Sequence, residues 1–222
     1  MQVNDIISDL FPAVRMKDIG EKALERMDFF KVSHIPLIDD QDYYCGLISE
    51  NEIYDFDLMK KSFLTHKNVL IRPFVRHDSH IYDAVNLFAE FNISLVPVID
   101  KSDKYTGVIL ISDIVKYIST FSSMNIPGTI FVLEMSISDY SASQIAQIIE
   151  GNNAKILSLH VRFFDYSTRM EVIIKVNTND FSAIRQTFER YNYTIKESYS
   201  EQDKVNDLIE ERYLEFMNYL NI

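Results

Sequence analysis

An α+β fold is predicted, in which a β-α-β-β-α unit occurs twice and is followed by a βαββαβ unit and a C-terminal helix. Three observations predict it: an ungapped internal repeat at a spacing of 61 residues, a change of hydrophobic pattern after Pro127-Gly128, and an apolar stripe running from Val205 to Leu220. Each is a statement about periodicity, and periodicity is the primary signal for element type.

The repeat lays residues 18 to 56 on residues 79 to 117. Identical residues fall at Ala23/Ala84, Phe30/Phe91, Ser33/Ser94, Pro36/Pro97, Ile38/Ile99, Asp39/Asp100, Asp42/Asp103, Tyr44/Tyr105, Gly46/Gly107, Ile48/Ile109 and Ile53/Ile114. Two copies that fold as a two-fold pair bury a face of each against the other, and a cleft on their shared axis is lined by equivalent residues. Within each copy a helix start is expected at Asp18, with Glu21 three residues on, and at Ser79. The helices that follow carry matching stripes, Ala23, Leu24, Met27 and Phe30 against Ala84, Val85, Phe88 and Phe91. Short apolar strands come next, His34 to Ile38 and Leu95 to Ile99. Acidic turns at 39–42 and 100–103 reverse the chain into Tyr44 to Ile48 and Tyr105 to Ile109. A second helix is expected from Glu50 and from Ile111.

Beyond Pro127-Gly128 the order becomes strand Thr129 to Met135, helix Ser141 to Glu150, strand Lys155 to Phe164, strand Met170 to Val176, helix Phe181 to Tyr191 and strand Thr194 to Tyr199. That order is the ferredoxin-like split unit. Leu157, Leu159, Val161 and Phe163 are expected on its core face, with Ser158, His160 and Arg162 on the face open to water or a partner. The final helix from Glu201 carries Val205, Leu208, Ile209, Tyr213, Phe216, Met217 and Leu220 along one side; packing on its own domain or a dimer seam would cover it. Expected boundaries are 1–62, 63–124, 125–200 and 201–222.

Composition narrows the function classes. The net charge is -11, with 19 acids against 13 bases through residue 128 and 6 against 2 in the tail. An acidic surface repels phosphate backbones, so no nucleic-acid partner is expected. No apolar run approaches the roughly 20 residues that cross a bilayer. Asp5 and Asp9 stand where a secretion signal would carry basic residues, so a cytoplasmic protein without a membrane partner is expected. Cys45 is the single cysteine, which excludes an internal disulfide; as a small strand residue it is expected to be buried and inert. His34, His66, His77, His80 and His160 include no helical metal-ligand pair, and five glycines provide no phosphate-cradling loop. No catalytic set and no metal site emerge, and the chain is expected not to be an enzyme.

The stretches Gly46-Leu47-Ile48-Ser49-Glu50-Asn51-Glu52 and Gly107-Val108-Ile109-Leu110-Ile111-Ser112-Asp113 resemble the Gly-h-h-Thr-x-x-Asp pattern of the CBS (cystathionine-β-synthase) domain, h being apolar. The segment from Pro127 is similar to an ACT-type domain, and a CBS pair followed by an ACT-like domain resembles acetoin-utilisation-type CBS proteins. The resemblance implies an adenosyl nucleotide, AMP, ATP or S-adenosylmethionine, held between the copies as a regulatory ligand, with no other cofactor required. It places Asp113 and its longer substitute Glu52 on the ribose, Ser49 and Ser112 near the hydroxyl position, and Ile35-Pro36 and Val96-Pro97 along the base. Lys116 and Arg72 are implied as phosphate partners, helped by Arg76 and His77. Leu110 replaces the hydroxyl in the second copy and Asp55 stands opposite Lys116, so one competent cleft is expected. The ACT-like half lacks the glycine of amino-acid-binding members in its first strand-helix turn, Asp139-Tyr140-Ser141-Ala142-Ser143. Pairing through its sheet into a homodimer is expected there, relaying the signal to an unknown regulated protein. The competing readings are a constitutive dimeric scaffold without nucleotide and an amino-acid sensor.

Overall fold

A computed structural model describes residues 2–121 and 123–200. The chain divides into two compact units, 1–118 and 119–222. The helix expected from Glu201 lies outside the described residues.

In the first unit the repeat is visible element by element. The first copy comprises β1 (Val14–Arg15), α1 (Gly20–Phe30), β2 (His34–Ile38), β3 (Tyr44–Ser49) and α2 (Glu50–Asp55). The second comprises β4 (Val75–Arg76), α3 (Ile81–Phe91), β5 (Leu95–Ile99), β6 (Tyr105–Leu110) and α4 (Ile111–Phe121). Each copy makes a three-stranded sheet, β1-β2-β3 and β4-β5-β6, with the first pair parallel and the second antiparallel. The registers match across the spacing of the repeat: His34 faces Ser49 as Leu95 faces Leu110, and both hairpins carry one extra residue, Cys45 and Thr106, at the same place. One continuous apolar core joins the copies, containing Ala23, Ile35, Leu47 and Ile53 with Ala84, Val96, Val108 and Ile114.

The acidic turns fold by the same chemistry twice. Asp39 Oδ1 accepts from the Gln41 and Tyr43 amides at 2.8 and 2.9 Å, and Asp100 Oδ1 accepts from those of Ser102 and Lys104 at 2.7 and 2.9 Å. Asp42 and Asp103 both take left-handed φ, 68° and 61°, a conformation that Asp tolerates better than most side chains. Arg15 donates to the Asp39 carbonyl at 2.6 Å and to Asp42 Oδ1 at 2.9 Å; Arg76 repeats this on the Asp100 carbonyl and Asp103 at 2.7 and 3.0 Å. The turns then bond each other, Tyr44 N to the Asp103 carbonyl at 3.1 Å and Tyr105 N to the Asp42 carbonyl at 3.0 Å.

The two copies also exchange their leading segments. Ser8, ahead of the first copy, forms a β-bridge with Val108 of the second; Ile71, ahead of the second, bridges Leu47 of the first. The tyrosines lock this arrangement, Tyr44 Oη donating to the Pro73 carbonyl at 3.0 Å and Tyr105 Oη to that of Phe11 at 2.8 Å. The duplicated glycines permit it. A Cβ on Gly46 would lie 2.7 Å from Leu70 Cβ, and one on Gly107 would lie 2.6 Å from the Ser8 carbonyl oxygen.

Two local expectations are corrected here. The helices α1 and α3 are preceded by Ile19 and His80, one residue after the expected Asp18 and Ser79. Asp18 instead accepts from the Arg15 amide at 3.1 Å and pairs with Lys22 at 2.8 Å, while His80 Nδ1 accepts from Tyr82 N at 3.2 Å. Cys45 is half-buried and not buried, because it is the extra residue of the hairpin; partial burial raises its thiol above the ordinary range.

The second unit comprises β7 (Thr129–Ser136), α5 (Ala142–Gly151), β8 (Ile156–Phe163), β9 (Arg169–Val176), α6 (Ser182–Arg190) and β10 (Thr194–Tyr199). Its four strands are antiparallel in the order β10-β7-β9-β8. Phe131, Leu133, Met170, Val172 and Ile174 form a core with Ile145, Ile149, Ile184 and Phe188 of the two helices. The inward row expected on β8 holds only in part: Leu159 packs on the core, half-buried. The register shifts between Ile156 and Ser158, so Leu157 is the extra residue and Ile156 packs on the core in its stead. Val161 and Phe163 share the core side with Val172 and Met170 across the strand pair, yet they are 41% and 60% exposed because β8 is an edge strand. On the opposite face, buried Glu171 binds Lys196 at 2.5 Å and Arg162 at 3.4 Å. At the end of β9, Lys175 Nζ donates to the Ser123 and Met124 carbonyls at 2.9 and 3.1 Å, pinning the connector to the sheet.

Candidate functional site

The start of α2 and the start of α4 occupy equivalent places, each directly following the last strand of its copy. At α2 the N-cap is Ser49. Its Oγ accepts from Glu52 N at 3.2 Å, and Glu52 Oε2 in return accepts from Ser49 N and Ser49 Oγ, both at 2.7 Å. This is a complete capping box, in which the carboxylate satisfies an amide that helix geometry leaves without a partner. Glu52 is therefore already engaged by its own helix terminus.

At α4 the same box is chemically impossible. Leu110 occupies the place of Ser49 and has no side-chain acceptor for the Asp113 amide. Asp113 is partly exposed and pairs with Lys116 one turn on, at 3.4 Å, a distance that leaves the ion pair loose. Ser112 is exposed beside it. The two acids that align in sequence thus differ in availability.

Ile35, Pro36, Val96 and Pro97 are all buried, on adjacent central strands of the two copies. The Arg72 guanidinium lies 5.9 Å from the ring centroids of Tyr44 and of Phe74, and the Ile71 before it bridges Leu47 of β3. Arg76 is taken up by the Asp100–Asp103 turn. Asp100 is held ionised below the ordinary carboxylate range, chiefly by the Lys104 amide with help from that of Ser102.

Between the copies, at the strand end where Ser49 lies, Ser33 N donates to Ser94 Oγ at 3.1 Å and Ser94 N donates to His34 Nδ1 at 3.3 Å. A groove of about 420 Å³ beside this contact is lined by Leu24, Met27, Lys31, Ser33, Glu50 and Ser94. Sequence reasoning paired Ser33 with Ser94 but assigned them no task; their repeat at an axis-related position was the available signal. Arg15 and Arg76 went unpaired because Arg15 lies just outside the aligned segment. In the second unit a cavity of about 570 Å³ opens at the β7–α5 turn, among Glu134, Ser136, Asp139, Gln144, Arg169 and Tyr193.

Residues 56–120 match the CBS domain family. The first copy repeats the same elements in the same register. Inosine-5'-monophosphate dehydrogenase of Aquifex aeolicus (strain VF5) is 27% identical over 110 residues, 47% of this chain and 21% of that enzyme. The chain spans about a fifth of the length of the curated relatives it matches. Among solved structures, a CBS domain pair/ACT domain protein from Thermotoga maritima is 23% identical with a TM-score of 0.49, covering 54% of this chain and 98% of that one. CBSX2 in complex with AMP is 22% identical with a TM-score of 0.45, covering 54% and 96%. Among the described residues no helix is long and apolar enough to cross a membrane.

Proposed function

We propose that the CBS pair is a regulatory sensor that takes one adenosyl nucleotide per chain, AMP, ATP or S-adenosylmethionine, on the second copy. The observation that carries this reading is the inequality of the two acids. Glu52 is consumed by the Ser49 capping box, whereas Asp113 follows Leu110 and, among the described residues, pairs with Lys116 at 3.4 Å. A carboxylate there can accept from both ribose hydroxyls, and Lys116, one turn on from it, can meet a phosphate. The βαββαβ unit is read as an ACT-like relay and dimerisation module acting on a regulated protein.

Calorimetric titration with each nucleotide tests this, with thermal melting alongside. Selective binding at 100 times Kd stabilises by about 2.7 kcal/mol. Asp113→Ala abolishes the shift, while Glu52→Ala keeps it at a stoichiometry of one. Silence with all three nucleotides, or a shift that survives Asp113→Ala, overturns the assignment. The cavity at the β7–α5 turn favours a second reading, an amino-acid sensor, which would show as stabilisation by free amino acids that Asp113→Ala leaves untouched.

A further inference from the structure

The pseudo-symmetry of the CBS pair is broken where the copies touch. His34 of the first copy stands where the second has Leu95, so one imidazole serves both. Its Nδ1 lies 3.3 Å from Ser94 N, 3.2 Å from Ser94 Oγ and 3.0 Å from Ser33 Oγ. The two hydroxyls can rotate to give or accept, but the Ser94 amide can only donate. That amide fixes the ring as the tautomer with its proton on Nε2.

We infer that His34 is an acid-weakened latch between the two CBS copies: a proton on Nδ1 sets N–H against N–H at the Ser94 amide and breaks that bond, leaving Ser33 N to Ser94 Oγ to hold the second copy's β5 entry. The groups that face the ring are Ser33 ahead of its own strand, Ser49 paired with it across β3, Ser94 from the other copy and Glu52 from α2. Glu52 is the one charged member of that set. Burial pulls the imidazole below the ordinary histidine range, and the Glu52 carboxylate offsets part of that pull. The latch is therefore closed at neutral pH and weakens only in acid. Leu95 leaves no counterpart on the symmetry-related side, so the weakening is one-sided. The inference does not depend on any nucleotide.

Nitrogen-15 and proton NMR of the full chain between pH 7.5 and 5 tests it. The His34 ring is expected to carry its proton on Nε2 at pH 7.5 and to titrate below about 6.5, with the Ser94 amide resonance moving at the same midpoint and losing at least tenfold in exchange protection. In His34→Gln, whose side-chain oxygen accepts without titrating, Ser94 protection persists to pH 5; in His34→Leu it is low throughout. A ring protonated on Nδ1 at pH 7.5, or a Ser94 amide indifferent to pH in the native chain, overturns the latch, and both are read without any variant.

Discussion

At the scale of single residues, the duplicated glycines leave no room for a side chain. Adding a methyl at Gly107 drives it to 2.6 Å from a backbone oxygen of the Ser8 segment, and at Gly46 to 2.7 Å from Leu70 Cβ. Gly107→Ala and Gly46→Ala are each expected to cost about 1–3 kcal/mol, read as a lowered urea midpoint at unchanged slope. His34 makes a separate prediction. Its folded-state affinity for protons lies below that of the unfolded chain, so above about pH 6.5 it contributes no pH slope. As pH falls below that value the unfolded chain takes up a proton that the folded chain resists, and stability declines. Urea unfolding at pH 7.5 and 5.5 shows this slope in the native protein, and His34→Leu reduces it. Asp18 acts at lower pH and the same sense: burial opposes ionisation, but Lys22 and the Arg15 amide hold its carboxyl below the ordinary range, and that contribution disappears as pH falls through its folded value.

At the scale of elements, the six-residue α2 depends on its start more than the eleven-residue α4 does. A short helix has few internal bonds, so the reciprocal box of Ser49 and Glu52 carries a large share of its integrity. Ser49→Ala is expected to destabilise by about 0.5–2 kcal/mol in chemical denaturation, and Leu110→Ser to leave α4 unharmed or slightly steadier. Most elements were legible from the chain because buried strands such as His34–Ile38 and Leu95–Ile99 read as apolar runs closed by acidic turns. The helix starts were legible only to within one residue. Asp18 and Ser79 have the right chemistry for a cap, but Asp18 is drawn off by Arg15 and Lys22, partners that no local pattern reveals. The extra residue at Leu157 was hidden for a related reason, since a strand's alternation continues in sequence while its pairing slips. The same blindness affected the site. Glu52 and Asp113 look alike as letters, and the hydroxyl of Ser49 or the isobutyl group of Leu110 three residues earlier separates an occupied carboxylate from an available one.

At the scale of the whole molecule, two cores are built separately, one shared by both copies of the repeat and one under the four-stranded sheet. Phe188→Ala, in the second core, is expected to cost about 3–5 kcal/mol in that unit, seen as early loss of amide protection on β7 and β9. Lys175 links this sheet to the connector through two carbonyls. Lys175→Met is expected to release residues 123–128 to rapid hydrogen exchange while β7 stays protected.

The crossed leading segments make the two halves of the first unit mutually dependent. Ser8 completes the sheet edge of the later copy and Ile71 that of the earlier one, so each half owes a border to its neighbour. A half parted from its neighbour would leave the Val108 or Leu47 edge uncovered. Cutting the present chain between its halves should return two pieces that are incomplete apart and recombine when mixed.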